Sequence, residues 1–401
     1  MQIRERITNY VILKLVFVLK MMHTIFRMIK KFVAWNIFHL FPLDAKKIVV
    51  SNYQGRGYGD NPKYIIEELL NEKKQLDIIW IVNNQNEALS LPKGVTSCIK
   101  DSVKSIYHLS TAKVWIDNCR KGFTMYKRKK QFYIQTWHGF ALKRIEKDVE
   151  DYLSDNYVKF SKYDSKMTDV IISDSTHMTN IYRNSFWYDG KILEIGSPRN
   201  DIITENSRNI REKVCDSLNI LKEKKLVLYA PTFRNDQSIR AYTIDYSRLK
   251  LNCEKRFGGN FSVLIRLHPN IANNAKLINY DDVDYINATY YPDMQELLVA
   301  ADIVVSDYSS LMVDFALSKK PCFQFAVDID EYKADRNFYF DIEKLPFDLS
   351  KDNDELERNI LNFDSDEYIN SLNLFFESVG MIQTNEAAKK CARLVLDICE
   401  Q

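Results

Sequence analysis

Short apolar runs alternate with helix-like segments along most of the chain. Each run ends in polar or turn-forming residues. The runs are Ile48–Ser51, Ile78–Val82, Val114–Asp117, Phe132–Thr136, Val170–Ser173, Leu226–Ala230, Val263–Leu267, Ile303–Ser306 and Phe323–Ala326. Unbroken apolar runs that alternate with helices are typical of parallel strands buried on both faces. The pattern therefore predicts an α/β fold.

One polar signature occurs twice, once in each half of the chain. Asp169–Thr176 and Asp302–Ser309 are both apolar runs that end in Ser-Asp and continue with hydroxyl residues. Upstream of each lies an extended stretch that ends in a histidine, His138 in the first half and His268 in the second. Parallel sheets bind ligands at the carboxyl edge of their strands. We therefore predict two such edges that face each other across a cleft.

The same pattern divides the 401 residues into unequal parts. We predict an appendage over residues 1–44, a first α/β domain over 45–205, a second over 206–365, and C-terminal helices over 366–401 that pack back on the body. The chain is 46% hydrophobic and 27% charged, which is the balance of a folded globular protein.

The appendage is both basic and apolar. Between residues 4 and 31, seven Lys and Arg residues stand against one acid, and at helical spacing four of the cations fall within an arc of roughly 60°. The uncharged stretch 32–43 is shorter than the roughly 20 residues that span a bilayer. We expect an amphipathic helix on the anionic, cytoplasmic face of a membrane, with Phe32 and Trp35 as interfacial anchors. The alternatives are a helix packed on the body or on a partner, and a secretory signal peptide.

Net charge and cysteine spacing exclude several classes of protein. A formal net charge of +2 gives no general signal for a polyanion, so no nucleic-acid partner is predicted. The seven cysteines form no CxxC pair and no Cys/His cluster, which favours reduced cytosolic thiols over a zinc site or disulfides. The sequence has no Walker, nucleophile-elbow or metallohydrolase motif, so simple ATPase, esterase and zinc-hydrolase interpretations fall away.

The turn Ser306–Ser310 is the strongest candidate for binding phosphate. It joins an apolar strand to a helix-like run, and a helix N-terminus presents unpaired N–H groups and a partial positive charge. The Ser309 and Ser310 hydroxyls add donors. Simple capping by Asp307 or Ser309 would explain the same residue types. The loop Gln54–Gly59 is a weaker cradle, because a tight turn explains its glycines equally well.

His138 and His268 each follow a strand and precede a residue that forces a turn. We predict that both imidazoles face the cleft and interpret the other histidines as structural. One imidazole would take a proton from an attacking hydroxyl while the other neutralises a phosphate. His138 is the predicted base, because the first domain would hold the acceptor.

Arginines near strand ends are candidates for binding phosphate oxygens. Arg199, Arg234 and Arg266 hold such positions, and guanidinium groups bind phosphate bidentately. Ion pairs with the nearby Asp201 and Asp236 are the alternative for the first two.

No cofactor is predicted with certainty. Asp328 and Asp330 mimic the acidic triplet that holds a metal in some nucleotide-sugar enzymes, but two carboxylates in a loop are a weak signal. The involvement of a divalent cation such as Mg²⁺ is left open, because the sequence shows no convincing set of ligands for it. The sequence does not indicate an oligomeric state.

Five motifs follow one another along the chain. They are Gln135–Gly139, Gly196–Asp201, Leu228–Arg234, Arg266–Pro269 and Ser306–Phe315. Together and in this order they resemble the CDP-glycerol glycerophosphotransferase family, over roughly residues 50–350. The resemblance implies two Rossmann-like domains in a GT-B arrangement, peripheral to the inner leaflet, in teichoic acid or capsule synthesis of Gram-positive bacteria. It also implies that an acceptor hydroxyl attacks the β-phosphate of a CDP-alditol and releases CMP.

The resemblance assigns roles residue by residue. His138 matches the family's base and His268 its phosphate-binding histidine, while Ser309, Ser310 and Asp314 match its pyrophosphate turn. The expected donor-binding set is completed by Arg199, Thr232, Arg234, Arg266 and Asp307. The resemblance implies CDP-glycerol as the donor and a lipid-linked saccharide or polymer as the acceptor.

The chain departs from the family pattern at two contact positions. Ser197 stands where tyrosine is common, and Phe233 stands where tryptophan is common. CDP-ribitol is therefore an alternative donor. A GT-B glycosyltransferase that uses a nucleotide sugar, and a catalytically silent membrane scaffold, are alternatives from other classes. The chain length resembles that of the primases, which add a single unit, or of capsule enzymes.

Overall fold

Two parallel β-sheets, each packed with helices, make up the body of the protein. The computed structural model describes residues 21–22, 29, 32–121, 126–205, 208–232, 243–267, 285–335 and 337–401. The predicted α/β fold with two parallel sheets is confirmed.

The first sheet has seven parallel strands in the order β3-β2-β1-β4-β5-β6-β7. The strands are β1 (Asp44–Ser51), β2 (Asp77–Val82), β3 (Val95–Ile99), β4 (Ala112–Asp117), β5 (Phe132–Gln135), β6 (Val170–Ser173) and β7 (Lys191–Glu194). Its helices are α1 (32–38), α2 (Asp60–Asn71), α3 (Val103–Thr111), α4 (Asp155–Met167) and α5 (Thr176–Ser185), with 3₁₀ turns at Asn86–Ser90 and Glu146–Tyr152. The β-branched side chains of Ile48, Val49 and Val50 in β1 have no exposed surface.

The second sheet has six parallel strands in the order β10-β9-β8-β11-β12-β13. The strands are β8 (Lys225–Tyr229), β9 (Phe261–Ile265), β10 (Tyr285–Asn287), β11 (Ile303–Ser306), β12 (Cys322–Phe325) and β13 (Asp348–Ser350). The helices from the end of the first sheet onward are α6 (Asp201–Glu205), α7 (Arg208–Leu218), α8 (Tyr246–Phe257), α9 (Met294–Ala300), α10 (Leu311–Ala316), α11 (Ile329–Asp335), α12 (Asn353–Leu361), α13 (Ser365–Val379) and α14 (Ala387–Glu400), with 3₁₀ turns at Pro198–Asn200 and Ile342–Lys344.

The strands that the apolar runs predict all lie in the interior of a sheet. The edge strands β3, β7, β10 and β13 are not marked by such a run. No residue of β7 is buried, and β10 is exposed or half-buried throughout. An edge strand has a neighbour on one side only, so its sequence need not be continuously apolar.

The N-terminal appendage is described only in part. Most of residues 4–31 lie outside the described residues, and so does the greater part of the predicted amphipathic helix. Trp35 of α1 is buried, with 1% of its surface exposed, against Trp115 and Tyr126. The prediction of Trp35 as an interfacial anchor is therefore wrong, because this ring fastens α1 to the first sheet. Phe32 on the same helix is 63% exposed.

Within the described ranges, no helix is both long and apolar enough to cross a bilayer.

The two C-terminal helices lie on different halves. α13 joins the larger core, which contains the second sheet together with Phe140 and Met178 of the first half, whereas Cys391 and Val395 of α14 lie in the core of the first sheet. The Asp201 carboxylate accepts the N–H groups of Ala387 at 3.2 Å and Ala388 at 2.7 Å, which satisfies the start of α14. The chain therefore crosses between the halves twice, and Asp201 links the two crossings.

A buried ion-pair cluster joins the two halves. Lys63 of α2 donates to Asp293 and to Glu296, at 2.6 Å in each case, and Lys213 donates to Glu296 at 2.7 Å. Burial acts to raise the pKa of Glu296, but the two lysines and the Tyr291 hydroxyl outweigh it and lower that pKa to about 2. The cluster therefore keeps its carboxylate charged although it is withdrawn from water.

Removing Lys63 would leave two buried carboxylates short of their main counter-charge. We expect Lys63→Met to lower the free energy of unfolding by about 3–5 kcal/mol, as when one partner of a buried pair is deleted. Because the pKa of Glu296 falls from 4.5 to about 2, its contribution is present above pH 4.5 and is lost as the pH falls toward 2. Urea unfolding followed by circular dichroism measures both effects.

Lys74→Met is the matched control. Lys74 also bonds a glutamate, Glu400, at 2.6 Å, but both side chains are exposed. Exposed pairs contribute about 0–1 kcal/mol. Equal losses in the two variants would contradict the importance given to the buried cluster.

Candidate active site

The strand order reverses once in each sheet, between β1 and β4 in the first and between β8 and β11 in the second. Loops that leave neighbouring strands at such a point run apart and open a crevice at the carboxyl edge. The polar candidates lie around these two points. The two halves meet near these points, since Arg199 of the first half contacts Asp314 of the second.

His138 lies in the loop after β5, beside the ends of β1 and β4. Its Nδ1 is 2.6 Å from the backbone oxygen of Asn118, the residue that follows β4. A carbonyl oxygen only accepts, so Nδ1 carries the proton and Nε2 keeps its lone pair. The sulfur of Cys119 also lies 3.8 Å from Nδ1. His138 therefore has the tautomer of a proton acceptor at Nε2.

Left-handed backbone turns the His138 loop out of the sheet. Trp137 has a φ of +51° and Gly139 a φ of +140°. The Gln135 side chain accepts the N–H of Trp137 at 3.0 Å, and the Asn61 amide donates to the Trp137 oxygen at 3.1 Å. The strand thus ends in a turn that is hydrogen-bonded on both sides.

The surroundings of His138 favour its neutral form. Burial has the largest effect and holds the pKa below the ordinary value of 6.5. The Asn118 carbonyl and the carboxylates of Asp60 and Glu146 act in the opposite direction, while Arg199 lowers the pKa further. An imidazole with a lowered pKa is unprotonated at neutral pH, which suits a general base.

Asp307 ties together the loops after β8 and β11. Its carboxylate accepts the backbone N–H of Thr232 at 2.9 Å, the Thr232 hydroxyl, and the N–H of Tyr308 at 2.6 Å. These bonds hold the crevice of the second sheet in shape. A direct role of Asp307 and Thr232 in donor binding stays a prediction.

Ser309 and Ser310 lie at the start of α10 and are partly exposed. Ser310 holds the cap position without a side-chain capping bond, and Ser309 Oγ accepts the N–H of Leu311 at a long 3.4 Å. The Ser310 oxygen lies 3.1 Å from the point where a Cβ on Gly139 would stand. The serine turn of the second half therefore lies against the His138 loop of the first.

Arg199 is held by two carboxylates, one from each half. Its Nη1 donates to Asp60 at 2.7 Å and to the backbone oxygen of His138 at 2.8 Å, and its Nη2 donates to Asp314 at 2.6 Å. The geometry favours an ion pair over a phosphate grip, with Asp60 and Asp314 rather than Asp201 as partners. A phosphate role for Arg199 and Asp314 stays a prediction.

Sequence reasoning missed the residues that surround His138 from the β1 side. The Tyr53 hydroxyl donates to Asp60 at 2.9 Å, and its ring centroid lies 5.4 Å from that of His138. Asn61 accepts from the Ser197 hydroxyl at 2.9 Å and so ties the start of α2 to the Gly196–Asp201 motif. No sequence pattern predicts the left-handed φ of +55° at Asp60. These contacts were therefore not predictable from the local sequence.

Two of the predicted donor residues, His268 and Arg234, lie outside the described residues. Arg266 is half-buried after β9, where its guanidinium donates to the Tyr291 carbonyl at 2.6 Å. The roles of all three stay predictions.

The acidic triplet offers no metal site of its own. Asp328 accepts the hydroxyl of Tyr308 at 3.0 Å. Among the residues with described positions, no group of three or more His, Cys, Asp or Glu side chains could hold a metal ion. We therefore assign no residues to a divalent cation.

An α/β fold with two parallel sheets is similar to GT-B-like structures. Within that class the match becomes specific. The chain belongs to the CDP-glycerol:poly(glycerophosphate) glycerophosphotransferase family, whose model matches residues 33–397.

The relatives are enzymes of teichoic acid synthesis. The teichoic acid poly(glycerol phosphate) polymerase of Staphylococcus epidermidis is 31% identical over 371 residues, 89% of this chain and 51% of that protein. The polymerase of the same name from Bacillus spizizenii is 30% identical over 91% of this chain and 95% of that protein. The chain therefore spans about half of the first relative and nearly all of the second.

A solved structure gives the same likeness in three dimensions. The wall teichoic acid polymerase TagF matches with a TM-score of 0.80 at 28% identity, over 94% of this chain and 98% of that chain.

The contact between the two loops predicts that Gly139 tolerates no side chain. A Cβ there would stand 2.7 Å from Nη2 of Arg199, at a φ of +140° that L residues rarely adopt. We expect Gly139→Ala to cost about 1–3 kcal/mol of unfolding free energy, measured by denaturant titration. Gly57→Ala is the control, because Gly57 has a φ of +63° but nothing within 4 Å of the added Cβ. A loss as large in the control would contradict the close approach.

Proposed function

We propose that this protein transfers glycerol phosphate from CDP-glycerol to an acceptor hydroxyl in the synthesis of teichoic acid or a capsular polymer, and releases CMP. Family membership and relatives named for glycerol phosphate support the donor. One observation carries the mechanism: Nδ1 of His138 lies 2.6 Å from the Asn118 carbonyl and so holds the proton, which leaves Nε2 as the proton acceptor, and burial lowers the pKa of this imidazole.

The proposed reaction makes one bond and breaks one. The oxygen of the acceptor hydroxyl attacks the β-phosphorus of CDP-glycerol, and its proton passes to Nε2 of His138. The bond between the β-phosphorus and the bridging oxygen breaks, and its electron pair leaves with CMP. The product is a phosphodiester. His138 contributes proton removal, while the two crevices contribute positioning and charge neutralisation.

The donor is assigned to the second half. Ser309 and Ser310 lie at the helix start that faces the His138 loop, and Arg266 follows β9, which is separated from β11 by β8 in the same sheet. Hydroxyl and guanidinium donors suit a pyrophosphate whose negative charge moves onto the departing CMP. Arg234 and His268 complete the proposed set on the strength of the motifs alone.

We also propose that the first half docks on the cytoplasmic face of the membrane, where a lipid-linked acceptor would be found. Phe32, Val33, Ile37 and Leu40 are exposed around α1, and Leu40 is 86% exposed. Apolar side chains beside a strongly basic segment suit anionic lipid. Trp35 anchors this surface to the body rather than to the lipid.

The donor is tested by CMP release from CDP-glycerol and CDP-ribitol, each with lipid-linked disaccharide or pre-primed acceptor in detergent. We expect acceptor-dependent CMP from CDP-glycerol. If CMP is released from CDP-ribitol but not from CDP-glycerol, the donor is CDP-ribitol. Release of UDP from a UDP-sugar would instead support the glycosyltransferase alternative, and no release by folded protein would support the scaffold.

The role of His138 predicts both a rate and a pH dependence. His138→Ala should lose roughly 10²- to 10⁴-fold in turnover and keep its affinity for CDP-glycerol, because the base acts on the acceptor. Since burial lowers the pKa of His138, the acid limb of kcat/KM should lie below pH 6.5. His177→Ala is the matched control, because that half-buried imidazole also bonds a backbone carbonyl, that of Ala141 at 3.0 Å, and has no proposed part in the reaction. Unchanged turnover in His138→Ala would sink the assignment.

A further inference from the structure

Arg199 touches the base loop and both halves of the protein at once. We propose that Arg199 is a positioning residue that holds the His138 loop against the donor-binding half and so sets the distance between the base and the phosphate. The inference rests on the proposed function of His138 and extends it to a residue whose guanidinium is bonded to protein groups.

The contacts of Arg199 cover both sides of the cleft. Nη1 bonds the backbone oxygen of His138 at 2.8 Å as well as the Asp60 carboxylate at 2.7 Å. Nη2 bonds Asp314, which lies on α10, at 2.6 Å. Ser309 and Ser310 precede that same helix. One planar guanidinium therefore connects the loop of the base with the helix that begins at the donor turn.

Further bonds fix both ends of this connection. The backbone N–H of Arg199 donates to Asn61 at 3.0 Å, and Asn61 also bonds the Trp137 oxygen. At the other end, the side chains of Asn200 and Gln295 donate to Asp314 at 2.8 Å and 3.2 Å. Arg199 is 5% exposed, and its guanidinium cannot reorient without breaking several of these bonds. Its position is therefore set by the protein rather than by a ligand.

The charges around His138 give this arrangement a signature of its own. The Trp137 ring stacks on the imidazole, and the polar and titratable groups that face or act on it include Tyr53, Asp60, the Asn118 carbonyl, Cys119, Glu146 and Arg199. Among them Asp60 raises the pKa of His138 and Arg199 lowers it. Because Asp60 and Arg199 are bonded to each other, neutralising one or the other should move the His138 pKa in opposite directions.

A purely structural role is the competing interpretation. Lys63 also joins the two halves through buried carboxylates, but it donates to Asp293 and Glu296 rather than to the His138 loop. If Arg199 only holds the halves together, Arg199 and Lys63 variants should behave alike. If Arg199 positions the base, only the Arg199 variants should alter His138.

The first test measures the His138 pKa directly and needs no activity. Histidine-labelled full-length protein is titrated by NMR, and the His138 signal is identified by its loss in His138→Gln. We expect Arg199→Gln to raise the His138 pKa, Asp60→Asn to lower it, and Lys63→Met to leave it unchanged. An Arg199→Gln value equal to wild type, or shifted the same way as in Asp60→Asn, would overturn the proposal.

The second test separates charge from geometry. Arg199→Lys keeps the positive charge, but one ammonium cannot match the planar fork that reaches Asp60, Asp314 and the His138 oxygen. We expect kcat for CMP release to fall on the order of 10²-fold, as for a misplaced reacting group, while KM for CDP-glycerol changes little. The His138 pKa should stay near the wild-type value. A KM effect without a kcat effect would assign Arg199 to donor binding instead.

The two tests distinguish this inference from the proposed function. Wild-type protein that releases no CMP while the NMR shifts appear as expected would reject the reaction but keep the placement of Arg199. Normal CMP release without the opposed shifts of the His138 pKa would keep the reaction but reject the positioning role of Arg199. Should Arg199→Gln fail to fold, Asp60→Asn carries the NMR test by itself, and an unchanged or raised His138 pKa in that variant would overturn the proposal.

Discussion

A buried charge must meet its counter-charge, and that constraint fixes how the two halves of this protein sit together. Lys63 comes from the first half and both of its close partners come from the second. Arg199 likewise meets one carboxylate from each half. Separating the halves would leave these buried charges without their counter-charges. The free-energy cost would exceed that of losing hydrophobic contacts alone. The ionic contacts therefore specify one relation between the sheets, and a site built from both sheets needs such a relation.

The active site follows from this relation and from strand order. Each sheet reverses its order at one point, and each reversal opens a crevice of its own. His138 occupies one crevice, and the serine turn borders the other. Neither crevice alone holds both the proposed base and the proposed donor turn. The chemistry of the proposed reaction thus depends on contacts that lie several residues away from any reacting atom.

Much of the fold could be read from the sequence, because interior parallel strands are apolar on both faces. The edge strands could not, since half of their surface meets solvent and β7 has no buried residue. The position of His138 was predictable from a strand followed by a glycine turn. The partners of Arg199 were not, because Asp60 and Asp314 are distant in sequence whereas Asp201, its near neighbour, caps α14 instead. The prediction of Trp35 as an interfacial anchor was wrong for a similar reason. The position of Trp35 depends on its contact with Trp115, which is distant in sequence.

The return of α14 to the first sheet has a consequence for how the protein is made. Cys391 and Val395 fill part of the core beneath β1 and β4, so that core stays incomplete until nearly the whole chain has been translated. At about 5–20 residues per second, the second half takes roughly 10–40 s to synthesise. During that interval the nascent first half presents an uncovered apolar face. The first sheet is therefore synthesised well before the helix that completes its core.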